Sequence, residues 1–303
     1  MKFKQVVDDI KSLKIQGAES VARESAKALL LTFEEHKQRS SQQLLHQIFH
    51  AQKVLLATRS TEPMMKNTLA FVLKDIPKKK EEIKKHLSQK IAFVVRHFLN
   101  SQQKIAELTA NKIKNGMVVY THCHSSTVVN ALILAKKQGK RFVVHNTETR
   151  PLFQGRTTAI QLARHNIKVY HFIDSAMRLA IKKADIILLG SDAITSTKIY
   201  NKIGSEIVAD YANSFQAPLY ICTNSWKFNS AFYLRDEEEI EERLWKEVWK
   251  KKPKKVSVMN PAFEAVDPKK VTGIISEYGI LSPDVFVEQM IEHGITLFSS
   301  TKK

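Results

Sequence analysis

From Gly116 onward the chain alternates short runs of apolar, mostly β-branched residues with stretches of helical period, and this alternation constrains the fold more than any other feature. The apolar runs fall at 117–120, 142–144, 169–173, 186–189 and 219–222, and the helical spacing at 128–138, 157–165 and 176–183. Apolar runs without alternation belong to strands buried on both faces, the mark of a parallel sheet with helices on each side. The order βαβαβ predicts a Rossmann-like, doubly wound α/β sheet, whose binding crevice opens at the C-terminal ends of the strands.

Before Gly116 the pattern is different. Val6, Ile10 and Leu13, and later Leu44, Leu45 and Ile48, recur at helical spacing, Gly is nearly absent, and breaks fall at Ser40-Ser41 and Pro77. These predict a bundle of several helices. Ile91, Val94, Val95, Phe98, Ile105 and Leu108 extend one long helix toward Asn115-Gly116, a pair suited to a C-cap. The chain therefore divides into an N-terminal helical domain, 1–115, and a Rossmann-like domain, 116–303, with the active site expected in the crevice between them. Residues 235–255 begin acidic and end basic, with Trp245 and Trp249 four apart. That order suits the helix dipole and predicts a solvated helix with a packed aromatic stripe; an RNA-binding patch is the second reading.

Composition narrows the partners. With 43% hydrophobic residues and only 9 Gly and 8 Pro in 303, the chain can bury a sizeable core. A formal net charge of +18 draws anions: phosphorylated metabolites, nucleic acid or acidic surfaces. Two cysteines build no disulfide framework, and neither an apolar signal core nor about 18 uninterrupted apolar residues occurs. The expectation is a cytoplasmic protein that neither crosses nor docks on a membrane. The glycine-rich fingerprints of dinucleotide and P-loop sites are missing, as are paired Cys-x-x-Cys and His-Glu-x-x-His.

Four polar segments follow expected strands. In Thr121-His122-Cys123-His124-Ser125-Ser126 the thiol is either a small buried filler or a group activated by the next helix's N-terminus, and zinc is a poorer fit because the two His flank Cys123 on the opposite side of an extended chain. Glu148-Thr149-Arg150-Pro151-Leu152-Phe153-Gln154-Gly155-Arg156 can offer guanidinium forks and backbone N–H groups to phosphate. Gly190-Ser191-Asp192 puts an acid directly after an apolar strand, an N-cap or a catalytic group, and Asn201-Lys202 follows with a neutral donor and a cation. Trp226-Lys227-Phe228 sets a cation between aromatics, while Cys222 reads as core. A thiol, a carboxylate and several cations on successive strand ends suit proton movement on carbon and oxygen of a phosphorylated substrate without a metal.

These segments, with Asp174-Ser175-Ala176, Ile203-Gly204, Asn260-Pro261-Ala262-Phe263 and the N-terminal Ile15-Gln16-Gly17-Ala18 and Thr58-Arg59, resemble one superfamily in order and spacing over nearly the whole chain. It comprises ribose-1,5-bisphosphate isomerase, methylthioribose-1-phosphate isomerase and the alpha, beta and delta subunits of the guanine-nucleotide exchange factor of eukaryotic translation initiation. Retention of both Cys123 and Asp192 favours an isomerase, and the form His122-Cys123-His124-Ser125 with the overall length looks most like the archaeal-type ribose-1,5-bisphosphate isomerases. The resemblance implies conversion of ribose 1,5-bisphosphate to ribulose 1,5-bisphosphate in nucleoside monophosphate salvage. In it Asp192 moves the proton that opens the ring and Cys123 exchanges the proton on the neighbouring carbon. It further implies that Gly17, Ala18, Arg59, Ser125, Gln154, Asn201, Lys202 and Lys227 hold sugar and phosphates, that no metal or cofactor is needed, and that the chain is a homo-oligomer (dimer or hexamer of dimers) with AMP as effector. Three positions depart from the pattern: Gln16 and Glu19 around Gly17-Ala18, a shortened loop before Asn201, and Ser191 before the acid. They keep two alternatives open, a non-catalytic regulatory homologue and methylthioribose-1-phosphate isomerase.

Overall fold

The computed structural model describes residues 2–59, 62–229 and 242–298, with side chains to residue 292. Its contacts divide the chain into two compact units: residues 1–100 with 226–229 and 290–303, and residues 101–225 with 230–289.

The first unit is helical, as its spacing requires. It contains α1 (Phe3–Lys11), α2 (Ala18–His36), α3 (Ser41–Leu56), α4 (Pro63–Leu73) and the first part of α5 (Lys80–Lys112). Ser40 starts α3 through a capping box with Gln43, and Pro63 opens α4 at a position where its missing N–H costs nothing. Ile10, Leu29, Leu44, Ile48, Leu69, Ile83, Leu87 and Phe98 build one core. Trp226, 2% exposed, packs its ring on Phe71, His97 and Phe98, and the Asn67 amide donates to the carbonyls of Trp226 and Phe228, both at 2.8 Å.

The second unit is an α/β sandwich. Its strands are β1 (Val118–Thr121), β2 (Val143–Thr147), β3 (Lys168–Phe172), β4 (Ile186–Leu189), β5 (Ala193–Ile194), β6 (Ile199–Lys202), β7 (Leu219–Cys222), β8 (Phe263–Val266), β9 (Gly273–Ser276) and β10 (Gly279–Leu281). Its helices are the last part of α5, α6 (Ser126–Lys137), α7 (Gln154–Arg164), α8 (Met177–Ile181), α9 (Ser205–Ser214) and the first part of α10 (Pro283–Phe298), whose remainder from Met290 belongs to the first unit. The main sheet runs β10-β9-β7-β4-β1-β2-β3, parallel throughout except at β10. The chain order reverses between β1 and β4, so the crevice rule points to the C-terminal ends of those two strands. All five strands expected from the apolar runs are present, displaced by at most one residue at their starts and extended at some ends.

Two readings change. The 169–173 run lies at the sheet edge, with most of β3 exposed, rather than buried on both faces. The expected helix 235–255 lies outside the described residues as far as 241, and 242–255 is an isolated bridge, a 3-10 turn at Trp245–Glu247 and irregular chain. Tertiary bonds replace helical ones there: Arg243 N–H donates to the Asn260 carbonyl, and the Asn260 amide donates to the Leu244 carbonyl. Sequence periodicity also missed a small antiparallel sheet, β5-β6-β8. Among the described residues no helix is long and apolar enough to cross a membrane.

Candidate active site

Beyond Thr121 the chain leaves β1 through His122 and Cys123, and Ser125 then caps α6 by accepting the Val128 N–H. Cys123 turns the corner at φ 64, a left-handed conformation costing a β-carbon residue roughly 1–2 kcal/mol. Hydrogen bonds hold it there. Its N–H donates to Thr149 Oγ1 at 3.0 Å, and its carbonyl accepts the Thr158 hydroxyl at 2.8 Å. Thr149 is itself left-handed at φ 61, and the N–H groups of Thr149 and Arg150 donate to the two oxygens of Asp174, at 2.8 and 2.7 Å. Asp174 therefore sets Thr149, and Thr149 sets the backbone of the thiol.

Both neighbouring histidines are structural spacers. His122 is 3% exposed; its Nε2 must donate to the Ile203 carbonyl at 2.9 Å, so Nδ1 accepts from the Thr147 hydroxyl at 2.6 Å, and burial holds the imidazole pKa down. The Thr158 hydroxyl, already donating to Cys123, accepts from His124 Nδ1 at 3.0 Å, which assigns the proton to that nitrogen. Among the described residues no group of three or more His, Cys, Asp and Glu is placed to hold a metal ion.

Asp192 follows β4 by way of Gly190 and Ser191. A β-carbon at Gly190 would lie 2.8 Å from Ser125 Oγ, so the glycine lets the end of β4 pass against the cap of α6. Ser191 donates its hydroxyl to Thr223 Oγ1 at 2.7 Å, and Asp192 N–H donates to the Tyr200 carbonyl at 2.8 Å. Lys202 ends β6, opposite Phe263, and is 6% exposed; among the described residues no carboxylate pairs with it and no hydrogen bond takes its ammonium. Withdrawing such a charge from water costs several kcal/mol unless an anion compensates.

Asp192 and Lys202 both act electrostatically on Cys123. Crowding by protein atoms pushes the half-buried Cys123 thiol up to about 12, the His124 N–H and the Lys202 ammonium pull it down, and Asp192 and Asp174 push it further up. Of the two readings the sequence leaves open for this thiol, burial therefore outweighs lowering by the helix end. Gln154, the first residue of α7, carries a buried Oε1 with no hydrogen-bond partner, an acceptor available to a ligand hydroxyl. Asn201 instead donates its amide to Ser205 Oγ at 2.9 Å.

The remaining sequence candidates belong to the first unit. Gly17, at φ 82, and Ala18 form the start of α2, Arg59 follows α3, and Lys227 lies in the 226–229 segment. Burial raises the pKa of Glu19 in that loop, against the pull of Arg23 and Lys227. Residues that the chemistry of the sequence did not single out for a role are Asp174, Thr149 and Thr158; Asp174 appeared only within a motif.

The model of the initiation factor 2 subunit family matches residues 14–283. The chain belongs to that family. Among curated relatives, the ribose 1,5-bisphosphate isomerase of Pyrococcus furiosus is 32% identical over 300 residues, covering 95% of this chain and 93% of the relative. That of Thermococcus kodakarensis is 33% identical at the same coverage. The solved translation initiation factor eIF-2B of Pyrococcus horikoshii superposes with TM-score 0.81 at 26% identity, covering 94% of this chain and 98% of its own. The 5-methylthioribose 1-phosphate isomerase of the same organism shares the fold at TM-score 0.82 and 23% identity, covering 96% and 88%.

Proposed function

We propose that this member of the initiation factor 2 subunit family is a sugar-phosphate aldose-ketose isomerase acting on ribose 1,5-bisphosphate. The observation that carries the reading is the buried ammonium of Lys202, unpaired beside a thiol and a carboxylate at the β1/β4 switch point. The Glu247 carboxylate acts on this ammonium without forming an ion pair with it, an anionic substrate supplies the direct partner, and the isomerase relatives supply the sugar.

The proton inventory closes on two side chains. Asp192 gives a proton to the ring oxygen as the bond to the anomeric carbon breaks, while the Cys123 thiolate takes the proton from the neighbouring carbon, leaving an enol phosphate. The thiol then protonates the anomeric carbon and Asp192 takes back the enol proton, giving the ketone and restoring both groups. Lys202, with Asn201 beside it in β6 and Ser125 at the cap of α6, holds phosphate, and Gln154 accepts from a sugar hydroxyl. In the first unit Gly17, Ala18, Arg59 and Lys227 are assigned to sugar and phosphate by the family likeness. The same reading includes salvage of nucleoside monophosphates in the cytoplasm, AMP as effector and a homo-oligomer.

Burial keeps the Cys123 thiol protonated near neutral pH, so its alkylation by iodoacetamide should rise about tenfold per pH unit toward its pKa of about 12. Alkylation already at its plateau at pH 7 would mean that the thiol is activated rather than suppressed. Asp174→Ala should lower kcat about a hundredfold with KM little changed, because the Thr149–Cys123 linkage loses its anchor. The deciding experiment is turnover of ribose 1,5-bisphosphate with methylthioribose 1-phosphate in parallel. Ribulose 1,5-bisphosphate as product supports the reading, preference for the second substrate transfers it to that isomerase, and no turnover of either points to the regulatory homologue.

A further inference from the structure

At the other end of the parallel sheet, where β1, β2 and β3 begin, the connections from α5, α6 and α7 enclose an open cavity of about 620 Å³. Strands of four or five residues separate it from the candidate site by roughly 13–17 Å. Lys136, from the last turn of α6, Arg141, from the loop before β2, and Lys168, at the start of β3, line it, with the amides of Asn115 and Asn166 and a floor containing Phe142. No acidic side chain lines it.

The simplest account of cations here is that they neutralise helix C-termini, each worth about half a negative charge. The hydrogen bonds do not support it. In the last turn of α6 the carbonyls of Leu134, Ala135 and Lys136 accept from the backbone N–H groups of Gln138, Lys140 and Gly139, and in that of α7 the carbonyls of Leu162 and Ala163 accept from His165, Ile167 and Asn166, so most of these carbonyls do not need the cavity's cations. In the last turn of α5 the Ala110 carbonyl accepts from Lys140 Nζ at 2.6 Å, a cation outside the cavity. Lys137 and Arg164 add charge at the ends of α6 and α7 without entering it. Arg141 and Lys168 belong to no helix, and among the described residues the side chains of Lys136, Arg141 and Lys168 make no ion pair or hydrogen bond; Lys168 only lies over the Tyr170 ring, 4.8 Å from its centre. Asn115 turns its carbonyl to the Arg141 N–H at 2.8 Å, which leaves its NH₂ as a donor.

We propose that this cavity is a second anion site, for a small phosphorylated molecule bearing at least two negative charges. A guanidinium fork, two ammonium groups and the Asn115 NH₂ present donors only, which suits phosphate oxygens, and Asn166 adds a neutral amide. The volume lies in the range of small-molecule sites, and the Phe142 floor gives a phosphate ester an apolar surface to rest on. A long polyanion would use a stripe of charge along the surface rather than a concavity of this size.

Inorganic pyrophosphate is the probe, titrated calorimetrically into the full chain. The Arg141→Ser/Lys168→Ser double variant changes two exposed side chains and should keep its melting temperature while binding this probe at least about tenfold more weakly. Lys202→Met, which removes the phosphate group of the proposed active site, should keep the cavity's binding, so the two phosphate sites fail or hold separately. Lys250→Ser/Lys251→Ser, an equal loss of exposed charge elsewhere, should also keep it. The proposal is overturned by unchanged binding in the first double variant, by equal loss in the second, by complete loss in Lys202→Met, or by retention of single-stranded RNA that needs Arg141 and Lys168 while pyrophosphate does not bind.

Discussion

Cys123→Ser should lower kcat for ribose 1,5-bisphosphate by about a thousandfold or more and leave the fold intact. Positioned proton transfer contributes typically 10²–10⁴ in rate, and a serine hydroxyl is a far weaker acid than even this buried thiol. The structural cost is small because Cys123 is held by its backbone, through the Thr149 hydroxyl and the Thr158 hydroxyl, and both bonds survive the substitution. Asp192→Asn tests the other half: its N–H bond to Tyr200 persists, so an equal loss of turnover with unchanged melting assigns the second proton to the carboxylate. If Cys123→Ser keeps a tenth of native turnover, the thiol is a filler and the proton exchange must be assigned elsewhere. Alkylation separates the cases independently, since a substrate-protected thiol and an inert one respond differently to added sugar phosphate.

The main sheet is legible in the sequence because its strands are short unbroken apolar runs bounded by helical period, a signal that survives without knowledge of neighbours. The small sheet escaped for the opposite reason. β5 has two residues and β6 carries Asn201 and Lys202, and only pairing with β8, across from Glu264 and Phe263, makes an extended buried strand of them. The edge position of β3 was equally invisible, since Val169, Tyr170 and Phe172 have strand-forming chemistry whether covered or not. In the site, residue types nominate Cys123, Asp192 and Lys202, but they leave the thiol between a buried filler and a group activated by a helix end. A helix end was visible in sequence, whereas the burial that overrides it depends on the packing of segments far apart in the chain. Asp174 shows the same limit: its two hydrogen bonds to backbone N–H groups 24 and 25 residues away exist only in the folded unit.

Gly155→Ala is the substitution with the largest expected effect on stability, and its cause is space rather than backbone angle. A β-carbon there would lie 1.8 Å from the Thr147 carbonyl oxygen and 2.8 Å from its carbon, backbone atoms at the end of β2 that no rotamer change can move. The two elements are also tied, Gly155 N–H to the Glu148 carbonyl at 3.1 Å and the Asn146 amide to the Gly155 carbonyl at 2.7 Å. Relief therefore requires α7 to shift as a body, carrying Gln154 and the Thr158 hydroxyl away from Cys123. A loss of about 3 kcal/mol or more is expected, read as a fall in melting temperature of roughly 6–12 °C together with lost turnover. Gly139→Ala is the control: Gly139 has φ 82, yet a β-carbon there meets nothing within 4 Å, so only the left-handed cost of roughly 1–2 kcal/mol applies and turnover should persist. Equal destabilisation by the two would mean that α7 yields to the collision. A larger effect at Gly155, with activity lost there alone, identifies close helix–strand contact as what holds the first turn of α7 against the thiol.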